Sequence, residues 1–311
     1  VNDVDNTVKK LAEKINIAGS LRLSEPMSLH TTFEIGGPAD LYAAPASKNE
    51  LKTLLSFAEE HSLPRYIIGG GANILVADAG IRGLVIDMSG LDSVTRVENR
   101  LIVEAGTPIS DVSLRAAEEG LSGLEFIYRM PGSTGGALWM NARCYGRSIS
   151  ETAEWIEYID EKTLDGRIDM PHPDFAYKRS PFQSGGFTIF RASFSLRRAG
   201  KADIRREMEE VFLDRKKKGH FLHPSAGSIF KNDRSLGKPT GVILDQLGLK
   251  GKRIGDAQIA PFHANIIINL GSAKARDVRE LMESAGELVR VQLGRKLEPE
   301  IRLIGEWGDE S

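Results

Sequence analysis

The sequence predicts an α+β fold rather than a doubly wound parallel sheet, and three observations predict it. Strand-like runs between Ile156 and Phe194 come in pairs joined by polar turns, where a doubly wound sheet would alternate strand with helix. Glycine is clustered, at Gly36-Gly37, Gly69 to Gly71, Gly132 to Gly136 and Gly185-Gly186, and clustered glycine marks backbone that turns sharply or touches a ligand closely. A charged helical stretch, Ile204 to Lys218, sets off a third region with strands and helices of its own.

Val8, Leu11 and Ile15 fall at helical spacing, so an opening helix is expected over 8–17. Leu41 to Ala44 reads as a short strand. Ser47 with Glu50 three residues on is a capping box, starting a helix through Leu51, Leu54, Leu55 and Ala58. Tyr66 to Ile68 is a buried strand ending in three glycines, and Leu84 to Ile86 and Leu101 to Val103 are further strands. A helix over 109–119 stops at Gly120. Asp165-Gly166 is expected to turn a hairpin between Tyr158-Ile159 and Arg167-Ile168. Beyond Gly219 come a helix over 240–247, strands near 254–259 and 266–269, a helix over 275–293 and a last strand over 300–304.

The bulk numbers narrow the function. The 311 residues suffice for two or three domains, and 41% hydrophobic with 27% charged residues describes a soluble globular chain. Lys and Arg number 41 against 43 Asp and Glu, so the basic excess of a nucleic-acid binder is missing. A single cysteine, Cys144, excludes an intrachain disulfide and suggests a reducing compartment. No apolar run has the length of a membrane span, and residues 1–14 lack the apolar core of a secretory leader, so the cytoplasm is expected. The six histidines show no zinc spacing, and no metal is expected.

Four segments carry chemistry. In the first, strand 66–68 runs into Gly69, Gly70, Gly71, Ala72, Asn73 and Ile74. Successive backbone N–H groups in such a turn form a nest for anionic oxygens, and the missing Cβ atoms let a pyrophosphate come close. This is not G-x-G-x-x-G, and a plain tight turn is the competing reading. The second, Pro131, Gly132, Ser133, Thr134, Gly135, Gly136 and Ala137, offers N–H and O–H donors ahead of a short helix. Two such loops about sixty residues apart suit a long dinucleotide held from two sides. In the third, Pro224 to Asn232, Ser228 follows a glycine as nucleophile, proton donor or turn former; Phe230 breaks the G-x-S-x-G elbow and disfavours hydrolase chemistry. The fourth, Leu297 to Ile304, carries Glu298 and Glu300 two apart on a strand, with Glu298 read as solvated.

In order along the chain, Thr32 to Asp40, Gly69 to Val76, Gly123 to Tyr128, Pro131 to Asn141, Tyr177 to Phe182, Pro224 to Asn232 and Leu297 to Gly305 resemble the UDP-N-acetylenolpyruvoylglucosamine reductase family. The short stretch between Tyr177 and Ser228 resembles the shorter, second type. The resemblance implies a two-subdomain FAD-binding fold of the MurB and vanillyl-alcohol-oxidase kind, over 1–205 with subdomains of about 1–90 and 91–205. A C-terminal α+β substrate domain over 206–295 and a strand and tail over 296–311 complete it. It further implies noncovalent FAD, NADPH as reductant, UDP-N-acetylglucosamine enolpyruvate as substrate, and a monomer acting in peptidoglycan precursor synthesis.

By the same resemblance Ser228 is the acid that protonates the carbon next to the reduced one, and Glu300 assists the enolate. Tyr177, Asn232 and Lys217 contact the sugar nucleotide. The cation beside the enolate is Lys178, which stands at the family's Arg position, or Arg179, displaced by one; lysine keeps the charge but loses the bidentate fork. A noncatalytic flavin or nucleotide-sugar binding protein on the same fold is the rival that this departure supports.

Overall fold

The computed structural model describes residues 8–308. The expectation for residues 1–7, as part of a leader-free N-terminus, lies outside them. Two compact units emerge from the backbone contacts. One holds Val1–Glu25, Asp40–Gly70 and Gly83–Leu213; the other holds Pro26–Ala39, Gly71–Arg82 and Asp214–Ser311. This division differs from contiguous blocks at 1–205, 206–295 and 296–311. Two early segments group with the C-terminal part, and the later boundary falls inside the helix Lys201–Lys217.

The first unit is built on a five-stranded antiparallel sheet in the order Asp165–Asp169, Ala153–Ile159, Thr188–Ser195, Arg100–Glu104, Val94–Val97. An all-antiparallel sheet of this size is what paired strands with polar turns imply. Most of a four-stranded sheet also lies here, ending in the parallel pair Arg65–Ile68 and Ile81–Asp87. The helix Lys48–Glu60 starts at Ser47, whose hydroxyl accepts from Glu50 N. The Glu50 carboxylate accepts from Ala46 N, Ala18 N and Gly19 N, so the predicted box becomes a three-donor clasp. Those bonds, that from Ala46 first, hold the carboxyl below its ordinary pKa. Its apolar stripe, Leu51, Leu54, Leu55 and Ala58, enters the core with Val112 and Ala116 of Ile109–Glu118. That second helix ends before Gly120, which takes φ +69°.

Two local expectations change. Among the described residues the opening helix covers 8–12 and gives way to a turn before residue 17. Asp165-Gly166 sits in a strand, with Ile159 opposite Asp165 and Tyr158 opposite Gly166. The turn lies earlier, where Asp160 Oδ1 accepts from Lys162 N and Leu164 N and Thr163 takes φ +60°. Gly166 serves another purpose: a Cβ there would lie 2.2 Å from Cζ of Tyr158, so the glycine makes room for the ring across the ladder.

The second unit contains a parallel pair, Ile74–Val76 with Arg302–Ile304, and a three-stranded antiparallel sheet, Arg253–Ile254, Ala257–Ile259, Ile267–Asn269. The helix Ala275–Leu293 buries Val278, Leu281, Met282, Ala285 and Val289 against Ile229, Phe230, Leu244 and Ile267. It ends at Gly294 in the left-handed region. Among the described residues no helix is long and apolar enough to cross a membrane, and no group of acidic, His or Cys side chains could hold a metal ion.

Candidate active site

In the first unit the two glycine-rich loops lie against each other. A Cβ on Gly69 would fall 1.9 Å from Ser133 Oγ, and one on Gly70 would fall 2.8 Å from the Gly132 Cα. Loop 131–133 is held in turn by Ile109 N donating to Gly132 O at 3.0 Å and Thr134 N donating to Thr107 O at 2.8 Å. Gly135 N donates to Ala105 O at 2.8 Å, and a Cβ there would meet Ala105 Cβ. Ser133 caps the short helix Thr134–Trp139 by accepting from Gly136 N. These glycines are therefore required first by close packing, Gly70 against the Gly132 backbone and Gly69 and Gly135 against the side chains of Ser133 and Ala105.

That packing leaves donors over. Among the described residues the N–H groups of Gly70, Gly132 and Ser133 meet no protein acceptor. A concave, Cβ-free surface with spare N–H donors fits the pyrophosphate of a dinucleotide such as FAD. Gly71, at φ +59°, continues the first loop into the second unit, where a Cβ would meet the His30 carbonyl oxygen at 2.0 Å; Ala72, Asn73 and Ile74 follow.

The Tyr177–Ser180 segment also lies in the first unit. Ala176 and Arg179 exchange both backbone bonds at 3.1 Å, so Tyr177 and Lys178 occupy the tip of a two-residue turn. Lys178 pays for this with φ +54°, unusual for a side chain of its size. Gln183 Nε2 donates to the Lys178 carbonyl at 3.2 Å and to Trp139 O at 2.9 Å. Asn141 Nδ2 donates to Ala176 O, and buried Ser180 donates to Trp139 O at 2.7 Å. The turn is thus tied to the helix that follows the second glycine loop. Tyr177 and Arg179 are exposed and Lys178 half-buried, with Arg179 4.0 Å from Asp174.

The second unit assembles the remaining candidates. Residues 228–231 run between two other segments. On one side Ser228 bridges Ile266. On the other, Glu300 N donates to Ile229 O at 2.8 Å and Lys231 N to Glu298 O at 2.9 Å. Ser228 and Glu300 therefore sit on neighbouring rungs, both half-buried. Asn73 closes the outer edge: its Nδ2 donates to Glu300 O at 3.0 Å, and its carbonyl accepts from Arg302 N. Gly227, at φ +71°, makes the turn into Ser228. Glu298 is exposed and pairs with Lys231.

Asn232 accepts from Thr240 N through Oδ1, while Thr240, fully buried, donates to Lys231 O. Lys217 is exposed on the last turn of its helix. Nearby, burial and then Arg215 push His220 down to about 4, and burial also lowers His263. Sequence reasoning missed Thr240 and Asn265; no local pattern marks a threonine or asparagine that bonds a distant backbone.

The FAD binding domain family matches residues 39–168, which defines the class: a flavoprotein oxidoreductase. The C-terminal domain family of UDP-N-acetylenolpyruvoylglucosamine reductase matches residues 218–304. The reductase of that name from Treponema denticola is 39% identical over 93% of this chain and 95% of its own length. The one from Caldanaerobacter subterraneus is 38% identical over 96% and 98%. The crystal structure of the Thermus caldophilus enzyme, MurB, superposes with a TM-score of 0.78 at 31% identity, covering 93% of this chain and 99% of the other. The chain belongs to the UDP-N-acetylenolpyruvoylglucosamine reductase family, as its motifs indicated.

Proposed function

We propose that this protein reduces the enolpyruvyl group of UDP-N-acetylglucosamine enolpyruvate to the lactyl ether of UDP-N-acetylmuramate, with NADPH as reductant, as a cytoplasmic monomer. FAD, when bound, supplies the hydride relay between nicotinamide and enolpyruvyl carbon. Gly69 to Ile74 and Pro131 to Ala137 would hold it, through spare N–H donors and the absence of Cβ atoms.

The observation that carries the reading is the pairing of segment 228–231 with Pro299 and Glu300. Hydride addition to the terminal carbon leaves negative charge toward the substrate carboxylate. Ser228 Oγ would give its proton to the adjacent carbon, and Glu300 on the neighbouring rung would assist the enolate. Lys178 would offset the charge of the carboxylate. Tyr177, Asn232 and Lys217 would bind the sugar nucleotide, and 206–295 would make up most of its domain.

Anaerobic stopped-flow absorbance tests the whole. The purified protein should be yellow, bleach with NADPH and recolour when the enolpyruvyl sugar nucleotide is added. Bleaching without recolouring would instead identify a flavoprotein that does not turn this substrate over.

A further inference from the structure

Asn265 stands in no segment to which a role has been given, yet the main chain immediately after Ser228 ends on it. Phe230 N donates to Asn265 Oδ1 at 3.1 Å, and Asn265 Nδ2 donates back to Phe230 O at 2.8 Å. The Asn265 carbonyl accepts from Ile229 N at 2.9 Å. Its own N–H donates to His263 Nδ1 at 3.2 Å, which requires that ring nitrogen to be unprotonated; burial, by lowering the His263 pKa, favours this. Asn265 is 3% exposed and Phe230 4%.

The carboxamide thus does what a neighbouring β-strand would do, meeting both polar groups of one residue. Only an amide of this length does so. Aspartate offers acceptors alone and would face the Phe230 carbonyl with negative charge, and alanine would leave a buried N–H and C=O unmet. Across the segment, the Ile229 carbonyl accepts from Glu300 N. Ile229 and Phe230 are therefore held from both sides, and they directly follow Ser228 in the segment that pairs with Pro299 and Glu300.

We infer that Asn265 is a positioning residue for the proton-transfer step: its carboxamide fixes the backbone that aims the Ser228 hydroxyl. The inference rests on the reading of Ser228 as proton donor. A misplacement of about 1 Å at a reacting group can cost on the order of 10²-fold in rate. Asn265→Ala should accordingly slow flavin reoxidation by substrate roughly 10²-fold. Flavin content and the rate of bleaching by NADPH should stay near wild type.

The test is a cycle of Ser228→Ala, Asn265→Ala and the double variant in the flavin-loaded enzyme, each half-reaction measured separately. If Asn265 acts through Ser228, the double variant reoxidises no more slowly than Ser228→Ala alone. Losses that multiply would overturn the inference and make Asn265 a structural residue only. Should Asn265→Ala not fold, Asn265→Asp keeps the acceptor for Phe230 N, and its cycle with Ser228→Ala is read in the same way. A Ser228→Ala enzyme that reoxidises at the wild-type rate would sink the reading of Ser228 itself, and this inference with it; slow Ser228→Ala with multiplying losses sinks this inference alone.

Discussion

The glycine loops of the first unit and the Ser228 segment of the second are organised by opposite means. The loops depend on atoms that are missing: Gly69 makes room for the Ser133 side chain, Gly70 lets backbone lie on the Gly132 backbone, and donors are left over for a ligand. The Ser228 segment depends on bonds that are made, with residues 229–231 tied to Asn265 on one side and to 298–300 on the other. An added Cβ should therefore harm the first and a removed polar group the second. The first loss should appear in flavin content and the second in the half-reaction with substrate.

The largest expected effect lies in the second unit. Ser228→Ala removes the proposed proton donor and, on that reading, nothing that NADPH oxidation needs. Bleaching should proceed at nearly the wild-type rate, while reoxidation by substrate slows by at least ~10²–10⁴-fold, the range for general acid catalysis. Equal slowing of both half-reactions would break the proposed separation.

Next comes a paired test of the loops. Gly69→Ala puts a Cβ 1.9 Å from Ser133 Oγ and 2.8 Å from Ser133 Cβ, so one loop must move, at a cost of roughly 1–3 kcal/mol. The protein should purify with little flavin. Ser133→Gly removes both clashing atoms, leaving Ser133 Cα at 3.9 Å as the nearest contact, and glycine replaces a serine N-cap at a cost of only a few tenths of a kcal/mol. Flavin content, read from the visible spectrum, should return in the double variant. Gly70→Val cannot be relieved this way, because its obstacle is the Gly132 backbone.

The same contrast explains what the sequence disclosed. A glycine cluster is a local signature, so both loops could be read from composition, as could the helix caps at Ser47 and Gly120. The Ser228–Glu300 neighbourhood is nonlocal, and the roles given to those residues came from family resemblance, not from spacing. Asn265 bonds a backbone that lies far away in sequence and carries no signal at all. Asp165-Gly166 misled because the turn signal and the need to seat the Tyr158 ring both ask for glycine. The unit boundaries were hidden for a related reason: residues 26–39 and 71–82 join the C-terminal unit through pairings such as Ile74 with Arg302.

A smaller effect distinguishes Lys178 from Arg179. Lys178 occupies the turn tip beside Tyr177, whereas Arg179 follows the turn and lies near Asp174. A hydrogen bond to a charged group is worth about 1.5–3 kcal/mol, so Lys178→Ala should slow reoxidation by roughly 10–10²-fold. Arg179→Ala should stay within a few-fold. The reverse ranking would assign the cation to Arg179. Lys178→Gly sharpens the comparison, since it relieves φ +54° while removing the charge: a gain in melting temperature with a loss of rate separates the turn from the chemistry.

The smallest effect is one of stability, and it belongs to the second unit. Burial, followed by Arg215, lowers the His220 pKa to about 4, against about 6.5 for an unfolded histidine. Between those values the unfolded chain binds a proton that the folded chain refuses, so stability rises with pH across this window. The contribution is complete above about pH 6.5 and is lost as the pH falls through about 4. His220→Gln keeps a polar side chain but cannot titrate. Its urea midpoint should therefore fall less than that of the wild type between pH 7.5 and pH 5. Flavin content at pH 7.5 should not change, because the loops that would carry the cofactor belong to other segments. Parallel midpoints for both proteins over that range would show that His220 is protonated in the folded state as readily as in the unfolded one.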